Sequence, residues 1–245
     1  MVVPCFNEAA RLRDLPFHQL TARGGLRLLF VDDGSSDGTA ERLARMAAEG
    51  SGRVGVLSLP ANRGKGEAVR QGMLTALGEG ARVVGYVDAD LSTPVEEILR
   101  LLAEMERRGA AVVMGARVAL LGTAIQRRPH RHYLGRLFAT AASVVLRLPV
   151  YDTQCGAKVF RVTPTLHGAL AKPFASRWVF DVELTGRLLL GAGRTPPLRP
   201  QDFLEVPLQE WTDVSGSKLR TVDMVRAIYD LAVIAAELRA LRRAR

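Results

Sequence analysis

Short apolar segments alternate with amphipathic segments along the first half of the chain. Each apolar run has the length of a buried strand, and each segment after it repeats apolar residues every three or four positions, as one face of a helix does. The predicted strands are Val2–Cys5 (the end of a strand), Leu26–Val31, Val54–Leu59, Val83–Val87 and Ala111–Met114. The predicted helices are Ser36–Met46 with Ser36 as its cap, Gly64–Leu77, and a helix that starts in a capping box at Thr93–Glu96 with Pro94 first. This alternation indicates an α/β fold, a mostly parallel sheet with helices on both faces.

The second half of the chain is less regular. Its pattern predicts an apolar helix at Leu137–Leu148 after the basic run Arg127–Arg136, a late strand at Leu204–Val206, and a long helix at Thr221–Leu241. The two tryptophans, Trp178 and Trp211, are more typical of a core than of a sugar-binding platform. Neither an internal repeat nor a linker interrupts the sequence, so we expect residues 1–245 to form one domain.

Composition narrows the class of protein. Of the 245 residues, 48% are hydrophobic and 24% are charged, which excludes an intrinsically disordered chain. No run of about 18 apolar residues is present, so the sequence offers no membrane span. The two cysteines, Cys5 and Cys155, form neither a disulfide framework nor a metal-binding spacing. We therefore expect a reducing, cytoplasmic setting.

The chain is basic, with 34 Lys and Arg against 25 Asp and Glu and a formal charge of +9. Such a charge attracts nucleic acid, an anionic membrane or phosphorylated substrates. No nucleic-acid-binding motif accompanies it and only 6% of residues are aromatic, so we expect no nucleic acid partner and favour small phosphorylated substrates or lipid headgroups. The lysines are only Lys65, Lys158, Lys172 and Lys218. Because an ammonium and a guanidinium are not interchangeable in a tight anion site, these positions are informative.

Two carboxylates leave the fourth predicted strand at Asp88-Ala89-Asp90. Carboxylates two residues apart suit a hard divalent cation whose other ligands come from a diphosphate. The same sequence also matches the D-x-D-x-[ST] signature of aspartyl-phosphate phosphatases, whose first Asp is a nucleophile. A solvent-exposed turn without a function is a third interpretation. The phosphatase signature closes the first strand of its fold, so a position after the fourth strand favours the metal interpretation.

Further polar turns follow predicted strands at Asn7-Glu8, Asp32-Asp33 and Asn62–Gly66. Turn and cap chemistry explains their glycines and serines, but not the consecutive acids. A carboxylate at such a position suits a base N–H or a ribose hydroxyl, and the glycine-flanked turn suits an anion. Because the carboxyl ends of parallel strands meet at one edge of the sheet, we expect Asn7-Glu8, Asp32-Asp33 and Asp88–Asp90 to form one site.

In order and spacing, these turns resemble the nucleotide-sugar domain of family 2 GT-A glycosyltransferases. The motifs are PCFNE at Pro4–Glu8, FVDDGSSDGT at Phe30–Thr39, NRGKG at Asn62–Gly66 and DAD at Asp88–Asp90. Three later motifs narrow the resemblance to dolichyl-phosphate glucosyltransferases and their bacterial polyprenyl-phosphate relatives: YDTQCGAKVF at Tyr151–Phe160, RWVFDVE at Arg177–Glu183 and SGSKL at Ser215–Leu219. The resemblance implies the GT-A fold, a Rossmann-like three-layer sandwich around a mostly parallel sheet. The sequence departs from the family at Ala157, where those enzymes usually carry Phe.

The resemblance also implies a reaction: inverting transfer of a hexose, expected to be glucose, from a nucleoside diphosphate sugar, expected to be UDP-glucose, to a polyprenyl or dolichyl phosphate. It divides the domain into a nucleotide-sugar-binding half at 1–118, an acceptor half at 119–220 and a C-terminal helix with a basic tail at 221–245. The residues that it implies at the nucleotide sugar are Pro4, Phe6, Glu8, Asp33, Lys65, Asp88, Ala89 and Asp90. Of these, Asp88 and Asp90 would hold Mg²⁺ or Mn²⁺.

A phosphate acceptor determines which catalytic residues we expect. Its monoester is largely ionised near neutral pH, so the difficulty is repulsion between two anions rather than the lack of a base. Cations must hold both anions at the anomeric carbon, and we expect Arg117, Arg131 and Lys218 to do so, with Asp90 acting through the metal. The resemblance makes Asp152 an acid on the acceptor side, either a base or a positioning group, whereas a simple turn explains Asp152 equally well.

Three other functions remain open. A family 2 enzyme with a hydroxyl acceptor would need a carboxylate base near the anomeric carbon, where a phosphate acceptor needs cations. An aspartyl-phosphate phosphatase would hydrolyse a generic phosphate ester. A non-enzymatic basic binding module would leave the acid clusters at the strand ends without a purpose.

A lipid phosphate acceptor lies at a bilayer, so we expect peripheral binding to an anionic membrane surface on its cytoplasmic, inner face. The basic run Arg127–Arg136 and the C-terminal arginines are the clusters expected to bind it. Val2 and Val3 leave about three residues for a central strand that usually has five or six. We therefore also expect the native start to lie upstream, with more of this strand and an apolar anchor.

Overall fold

The computed structural model of the chain describes residues 1–126, 129–192, 195–213 and 221–243, and it describes the backbone alone at residues 126, 129–134 and 221–225. Its strands are β1 (Val2–Cys5), β2 (Leu28–Asp32), β3 (Val54–Ser58), β4 (Val83–Val87), β5 (Val112–Ala116), β6 (Ala124–Gln126), β7 (Ala157–Arg161), β8 (Phe203–Pro207) and β9 (Glu210–Thr212). Seven of them form one sheet in the order β3-β2-β1-β4-β7-β5-β8, and β6 pairs with β9 in a small parallel sheet. In the large sheet β7 runs antiparallel to both of its neighbours, whereas the other neighbouring strands are parallel.

Eight helices are described along the chain. They are α1 (Asp14–Gly24), α2 (Thr39–Glu49), α3 (Lys65–Gly78), α4 (Val95–Arg108), α5 (Pro129–Leu146), α6 (Pro164–Leu170), α7 (Phe180–Leu190) and α8 (Thr221–Arg243), and a 3-10 turn spans Pro200–Asp202. Among the described residues, no helix has both the length and the apolar character needed to cross a bilayer.

Helices cover both faces of the large sheet, which gives three layers. One buried cluster joins the sheet to α1, α2 and α4 through side chains such as Phe17, Leu43 and Ile98. The other joins the sheet to α3 and to α5–α8, with Met73 and Phe180 among its members. Because both faces are buried, the strands are mostly apolar and do not alternate regularly between apolar and polar residues.

The strand order reverses between β1 and β4, which are neighbours in the middle of the sheet. An α/β sheet binds its ligands at such a point, in the crevice outside the carboxyl ends of the strands. Cys5 lies in register with Asp32, and Val2 with Tyr86, so the turns after β1, β2 and β4 meet at this edge. The convergence of the polar turns that the sequence predicted is therefore confirmed.

Two helix starts differ from the prediction. α2 begins at Thr39 with Gly38 as its N-cap, and Asp37 rather than Ser36 accepts the Thr39 N–H, at 3.1 Å. α4 begins at Val95 without a side-chain cap hydrogen bond, so the expected capping box is wrong. The reason is that Pro94 has an extended backbone, with ψ of 160°, and therefore precedes the helix instead of forming its first residue.

Other differences lie in elements that the sequence pattern marks weakly. α5 begins at Pro129, inside the basic run, instead of at Leu137. α1, α6 and the small sheet of β6 and β9 were not predicted, because their sequences show neither a long apolar run nor a clear period. β7 was not identified as a strand, since Lys158 lies in the middle of its buried sequence AKVFR.

Candidate active site

Asp88, the first residue after β4, is held from two sides. Its Oδ1 forms an ion pair at 2.5 Å with Nζ of Lys65, the first residue of α3. Its backbone N–H donates to the Gly156 carbonyl at 3.0 Å. The Asp88 carboxylate packs so closely on Gly156 that a Cβ at position 156 would lie 1.9 Å from Oδ2. Burial acts to lower the pKa of Lys65, but the charges of Asp88 and Asp181 outweigh it and raise this pKa, so Lys65 keeps its positive charge.

Asp90 follows in a tight turn. Leu91 has a φ of 47°, and its N–H donates to the Asp88 carbonyl at 3.1 Å. Ser92 donates to Oδ1 of Asp90 from its backbone N at 3.0 Å and from its Oγ at 2.9 Å. Asp88 and Asp90 are both partly exposed, whereas Ala89 between them is buried in the core. The two carboxylates therefore face the crevice edge, while Ala89 offers a ligand only its backbone.

The chemistry of this acid pair suits a metal that is shared with a ligand. In the described part of the chain, no group of three or more His, Cys, Asp and Glu side chains is arranged to hold a metal ion. Asp88 and Asp90 supply hard carboxylate oxygens, which Mg²⁺ and Mn²⁺ prefer. Mg²⁺ usually takes one or two carboxylates from the protein and completes its shell with phosphate oxygens and water. The pair fits that pattern and does not fit a structural metal site built from protein ligands alone.

The turn after β1 brings Glu8 close to these acids. Glu8 is buried and accepts a hydrogen bond from Nε of Arg11 at 2.7 Å, and its backbone N–H donates to Oγ1 of Thr39 at 2.8 Å. The hydrogen bond with Glu8 and the charges of Asp90 and Asp88 raise the pKa of Arg11. Arg11 therefore lies within the electric field of the acid pair, although no sequence motif singled it out.

Asp33, the residue after β2, organises the glycine-flanked turn. It is 2% exposed, and its two oxygens accept the backbone N–H groups of Arg63 at 2.8 Å and Gly64 at 2.7 Å. Burial raises the pKa of Asp33, and the two N–H groups only partly oppose that effect. Gly64 has a φ of 95°, and a Cβ there would lie 2.7 Å from the side chain of Arg177. Asp33 therefore fixes the turn that starts α3, and so places Lys65.

Arg117, the residue after β5, forms a bidentate ion pair with Asp152. Its Nε donates to Oδ2 of Asp152 at 2.7 Å and its Nη2 donates to Oδ1 at 2.8 Å. Burial acts to lower the pKa of Arg117, but the charge and hydrogen bonds of Asp152 outweigh it and raise this pKa. The guanidinium also lies over the Trp211 ring, with Cζ 5.3 Å from the ring centroid. Both oxygens of Asp152 are thus bound to a cation.

Glu205 on β8 supports this ion pair from behind. Its Oε1 accepts the backbone N–H of Asp152 at 2.6 Å and its Oε2 accepts that of Tyr151 at 2.8 Å. Burial raises the pKa of Glu205, and the two N–H groups oppose that rise. Sequence reasoning missed Glu205, because a single acid in a short strand outside any motif carries no signal.

The remaining predicted residues are placed as follows. Pro4 lies in β1 and Phe6 directly after it, both partly exposed at the crevice edge. Lys218 lies outside the described residues, as does the side chain of Arg131. Trp211 is buried, as expected, whereas Trp178 is 45% exposed, so the prediction of a core position is wrong for Trp178. It precedes the start of α7, where Val179 and Phe180 are the residues that enter the core.

Comparison with known protein families gives a match over most of the chain. The model of the family described as glycosyl transferase family 2 matches residues 1–168. Several similar proteins are named dolichyl-phosphate beta-glucosyltransferase. One from Trichomonas vaginalis is 31% identical and aligns over 98% of this chain and 71% of its own length. Those from Drosophila melanogaster and Homo sapiens are 33% and 31% identical, each over 89% of this chain and 68% of the relative.

Solved structures share the fold. A mycobacterial protein superposes with a TM-score of 0.65 at 18% identity, covering 96% of this chain and 74% of its own. The mannosyltransferase PcManGT of Pyrobaculum calidifontis, solved in complex with GDP-Man and Mn²⁺, gives a TM-score of 0.51 at 17% identity and covers 99% and 74%. These similarities concern the fold alone, and they confirm the expected GT-A architecture.

Proposed function

The chain belongs to glycosyl transferase family 2, and on that premise we propose that it transfers glucose from UDP-glucose to a polyprenyl or dolichyl phosphate, with inversion at the anomeric carbon. The names of the similar proteins support both the sugar and the class of acceptor. The net charge of +9 agrees with two anionic substrates.

The proposal of a phosphate acceptor rests on the ion pair between Arg117 and Asp152. A hydroxyl acceptor needs a carboxylate that takes its proton. Asp152 is the acid that the family motif offers for that role, and both of its oxygens are bound to the guanidinium of Arg117. A phosphate acceptor arrives already ionised and needs an oriented cation instead. The geometry therefore favours a phosphate acceptor over a hydroxyl acceptor.

We assign the donor to the crevice at the carboxyl ends of β1 and β4. Pro4, Phe6, Glu8 and Asp33 would line the base and ribose, and Lys65, Asp88, Asp90 and the backbone of Ala89 would lie at the diphosphate. Two observations support this assignment. The turns that carry these residues meet at the reversal of strand order, and Lys65 lies at the N-terminus of α3, where backbone N–H groups favour an anion.

We propose that Asp88 and Asp90 hold Mg²⁺ or Mn²⁺ together with the donor diphosphate. When bound, the metal would neutralise charge that develops on the leaving diphosphate. The residues themselves prepare this position, because Ser92 orients one oxygen of Asp90 and Lys65 and Gly156 fix Asp88. The Mn²⁺ in the mannosyltransferase structure belongs to a protein of the same fold and supports this assignment by analogy.

The reaction needs little acid–base chemistry. An ionised oxygen of the lipid phosphate attacks the anomeric carbon while the bond from that carbon to the UDP oxygen breaks, and UDP leaves with the electron pair. Because the phosphate monoester is largely ionised near neutral pH, no base has to remove a proton. We propose that Arg117, Arg131 and Lys218 hold the two anions against their mutual repulsion. For Arg131 and Lys218 the proposal rests on their motifs.

We further propose that residues 1–118 bind the nucleotide sugar, 119–220 bind the acceptor, and 221–245 form a helix with a basic tail at the membrane. In this proposal the enzyme works peripherally on the cytoplasmic face of an anionic bilayer. The acceptor supports the location, because a polyprenyl chain keeps its phosphate at the membrane surface.

A transfer assay with matched acceptors tests the function. Radiolabelled UDP-glucose is incubated with the protein, a divalent metal, and either a polyprenyl phosphate or the polyprenol of the same chain length, and label is then counted in the organic phase. We expect label with the phosphate and not with the alcohol, and less label when GDP-mannose replaces UDP-glucose. Transfer to the polyprenol alone would establish a hydroxyl acceptor. Release of phosphate from a generic phosphate ester, without transfer, would establish a phosphatase.

A further inference from the structure

A reciprocal pair of hydrogen bonds at Asn7 joins the turns that follow β1 and β2. The Asn7 backbone N–H donates to Oγ of Ser35 at 2.9 Å, and Oδ1 of Asn7 accepts the backbone N–H of Ser36 at 2.9 Å. We call these two hydrogen bonds the Asn7 bridge. It connects residues that lie 28 and 29 positions apart in the chain, and the reaction described above gives it no role.

The bridge begins where the pairing of β1 with β2 ends. The Asp33 N–H donates to the Cys5 carbonyl at 2.8 Å, and both segments leave the sheet directly after these residues. Ser35 is itself held, because its backbone N–H donates to Oδ1 of Asp32 at 3.1 Å, and Asp32 is buried at the end of β2. The bridge is therefore anchored to the buried end of a strand.

Asn7 is the first of three consecutive residues whose backbone N–H groups are bound by side chains of the second turn. The Glu8 N–H donates to Oγ1 of Thr39 at 2.8 Å, and the Ala9 N–H donates to Oδ2 of Asp37 at 3.1 Å. Polar side chains at every second position of the turn after β2 thus replace the backbone carbonyls of the ladder. The sequence had offered only turn and cap chemistry for these polar residues.

The backbone of Asn7 makes asparagine suitable at this position. Its φ is 52°, in the left-handed region. Asparagine is one of the few residues with a side chain that adopt this region readily. Glycine adopts it as well, but has no side-chain oxygen for the Ser36 N–H. Asn7 therefore combines the required backbone conformation with the required acceptor.

We propose that Asn7 is a positioning residue for the nucleoside of the donor. This inference rests on the proposed function, in which Phe6, Glu8 and Asp33 line the base and ribose. Phe6 and Glu8 are the direct neighbours of Asn7 in the chain. Asp33 lies on the other turn, two positions before Ser35, so the bridge fixes the two sides of the nucleoside site relative to each other. A site that is held in its binding conformation loses less conformational entropy when the ligand binds.

Calorimetric titration with UDP and transfer kinetics test this role in the variant Asn7→Gly. The variant keeps the left-handed backbone and removes the acceptor of the Ser36 N–H. We expect the Kd for UDP and the KM for UDP-glucose to rise about tenfold. We expect kcat and the KM for polyprenyl phosphate to stay within about twofold of the wild type, because the lost interaction affects donor binding and not the transition state alone.

The matched control is Ser51→Gly. Ser51 also has a positive φ, of 48°, so this variant makes the same change of residue type at a left-handed position. Ser51 is exposed and precedes β3, at the end of the sheet opposite to the carboxyl ends of the strands. We expect its Kd for UDP and its KM values to match those of the wild type.

A second variant, Ser35→Ala, tests the bridge from its other side. It removes the oxygen that accepts the Asn7 N–H and leaves the hydrogen bond from Ser36 in place, so we expect the Kd for UDP to rise about threefold. The double variant Asn7→Gly, Ser35→Ala should raise the Kd by less than the product of the two single changes, because both break the same bridge.

The results that would overturn the inference are distinct from those that would overturn the proposed function. A folded Asn7→Gly protein that binds UDP within about twofold of the wild type would overturn the positioning role, and the same result for Ser35→Ala would do so if Asn7→Gly did not fold. An equal rise of both KM values with a lower thermal midpoint would show a general loss of structure and would also overturn it. Wild-type protein that does not bind UDP would overturn the proposed function, and this inference with it.

Discussion

Asp152 binds the guanidinium of Arg117 through two parallel hydrogen bonds, so the protein itself fixes the plane of that cation. Trp211 lies under the same guanidinium, and Glu205 holds the backbone N–H of Asp152. Glu205 on β8 therefore holds Asp152 in the loop before β7, and Asp152 in turn holds Arg117 at the end of β5. An arginine oriented in this way needs no rearrangement to receive an anion, which is the condition for electrostatic catalysis.

The first prediction concerns Asp152. Asp152→Asn should destabilise the fold by about 3 kcal/mol, because it leaves Arg117 buried without its partner. It should also lower kcat/KM for transfer. The residual activity of the variant should still fall at low pH. We attribute this acid limb of the pH–rate profile to protonation of the acceptor phosphate, whose second pKa is about 6. The measurement is a pH–rate profile of both proteins with polyprenyl phosphate.

The control for this prediction is Asp202→Asn, which breaks an exposed ion pair with Arg199 in the 3-10 turn. That variant should leave stability and activity close to those of the wild type. Disappearance of the acid limb in Asp152→Asn alone would show instead that Asp152 is the base.

The second prediction concerns Gly156. Gly156→Ala would place a methyl group 1.9 Å from Oδ2 of Asp88, so the carboxylate must move. Because Asp88 also holds Lys65, we expect donor affinity to fall at least about tenfold, measured as the Kd for UDP-glucose. Gly78→Ala is the matched control, since a Cβ there meets nothing within 4 Å. Equal affinities in the two variants would show that the position of Asp88 does not affect donor binding.

The sequence predicted much of this site because its signals are local. An acid pair after an apolar strand and a glycine-flanked turn before a helix are both visible in a few residues, and parallel topology then brings them to one edge. The structure confirms this expectation at Asp33. Its carboxylate accepts the backbone N–H of Gly64, which lies 31 positions later in the chain. The positions of β1–β5 followed in the same way from continuous apolar runs.

What the sequence could not predict depends on contacts between distant segments. Glu205 is one acid in a short strand, and its role appears only when β8 pairs beside β5. Lys158 interrupts the apolar pattern of β7, so the sequence alone did not predict a strand there. In the structure, Asp181 from another motif pairs with Lys158 inside the core. Whether a charged side chain can be buried depends on a partner of opposite charge, and that partner can lie anywhere in the chain.

The third prediction concerns the metal. Asp90→Asn should lower the transfer rate at least about a hundredfold, because the loss of metal-based charge stabilisation costs several kcal/mol. The fold should be kept, since Asp90 is partly exposed at a strand end and outside the core. The assay compares this variant with wild-type protein in EDTA, and then restores Mg²⁺ or Mn²⁺. Undiminished wild-type transfer in EDTA would contradict metal dependence.

The fourth prediction concerns the cation expected in the SGSK motif. Lys218→Ala should raise the KM for polyprenyl phosphate and lower kcat/KM by about 2 kcal/mol, the value of a charge-assisted hydrogen bond to a phosphate. Lys218→Arg should restore only part of the activity, because the guanidinium has a different shape. Lys172→Ala, at an exposed lysine outside the site, is the matched control. If Lys172→Ala changed the KM as much as Lys218→Ala, the effect would come from the net charge of the protein and not from a direct contact between Lys218 and the phosphate.

The fifth prediction concerns the membrane and uses a cluster at the end of α8. Nη2 of Arg242 donates to the Val145 carbonyl at 2.8 Å, which joins the ends of α5 and α8. Burial and the charges of Arg147 and Arg239 lower the pKa of Arg242, so these cations lie close enough to repel one another. An anionic bilayer relieves such repulsion, and each cation near it contributes about 1 kcal/mol.

We therefore expect the protein to sediment with anionic vesicles at low salt and to be released as salt rises, because screening shortens the reach of the field. The double variant Arg239→Ala, Arg243→Ala should weaken this binding by about 2 kcal/mol, since both residues are exposed at the end of α8. Arg107→Ala, Arg108→Ala removes the same charge from α4, where Glu104 pairs with both residues, and should bind as the wild type does. Equal losses in the two double variants would mean that net charge, and not this cluster, attaches the protein to the membrane.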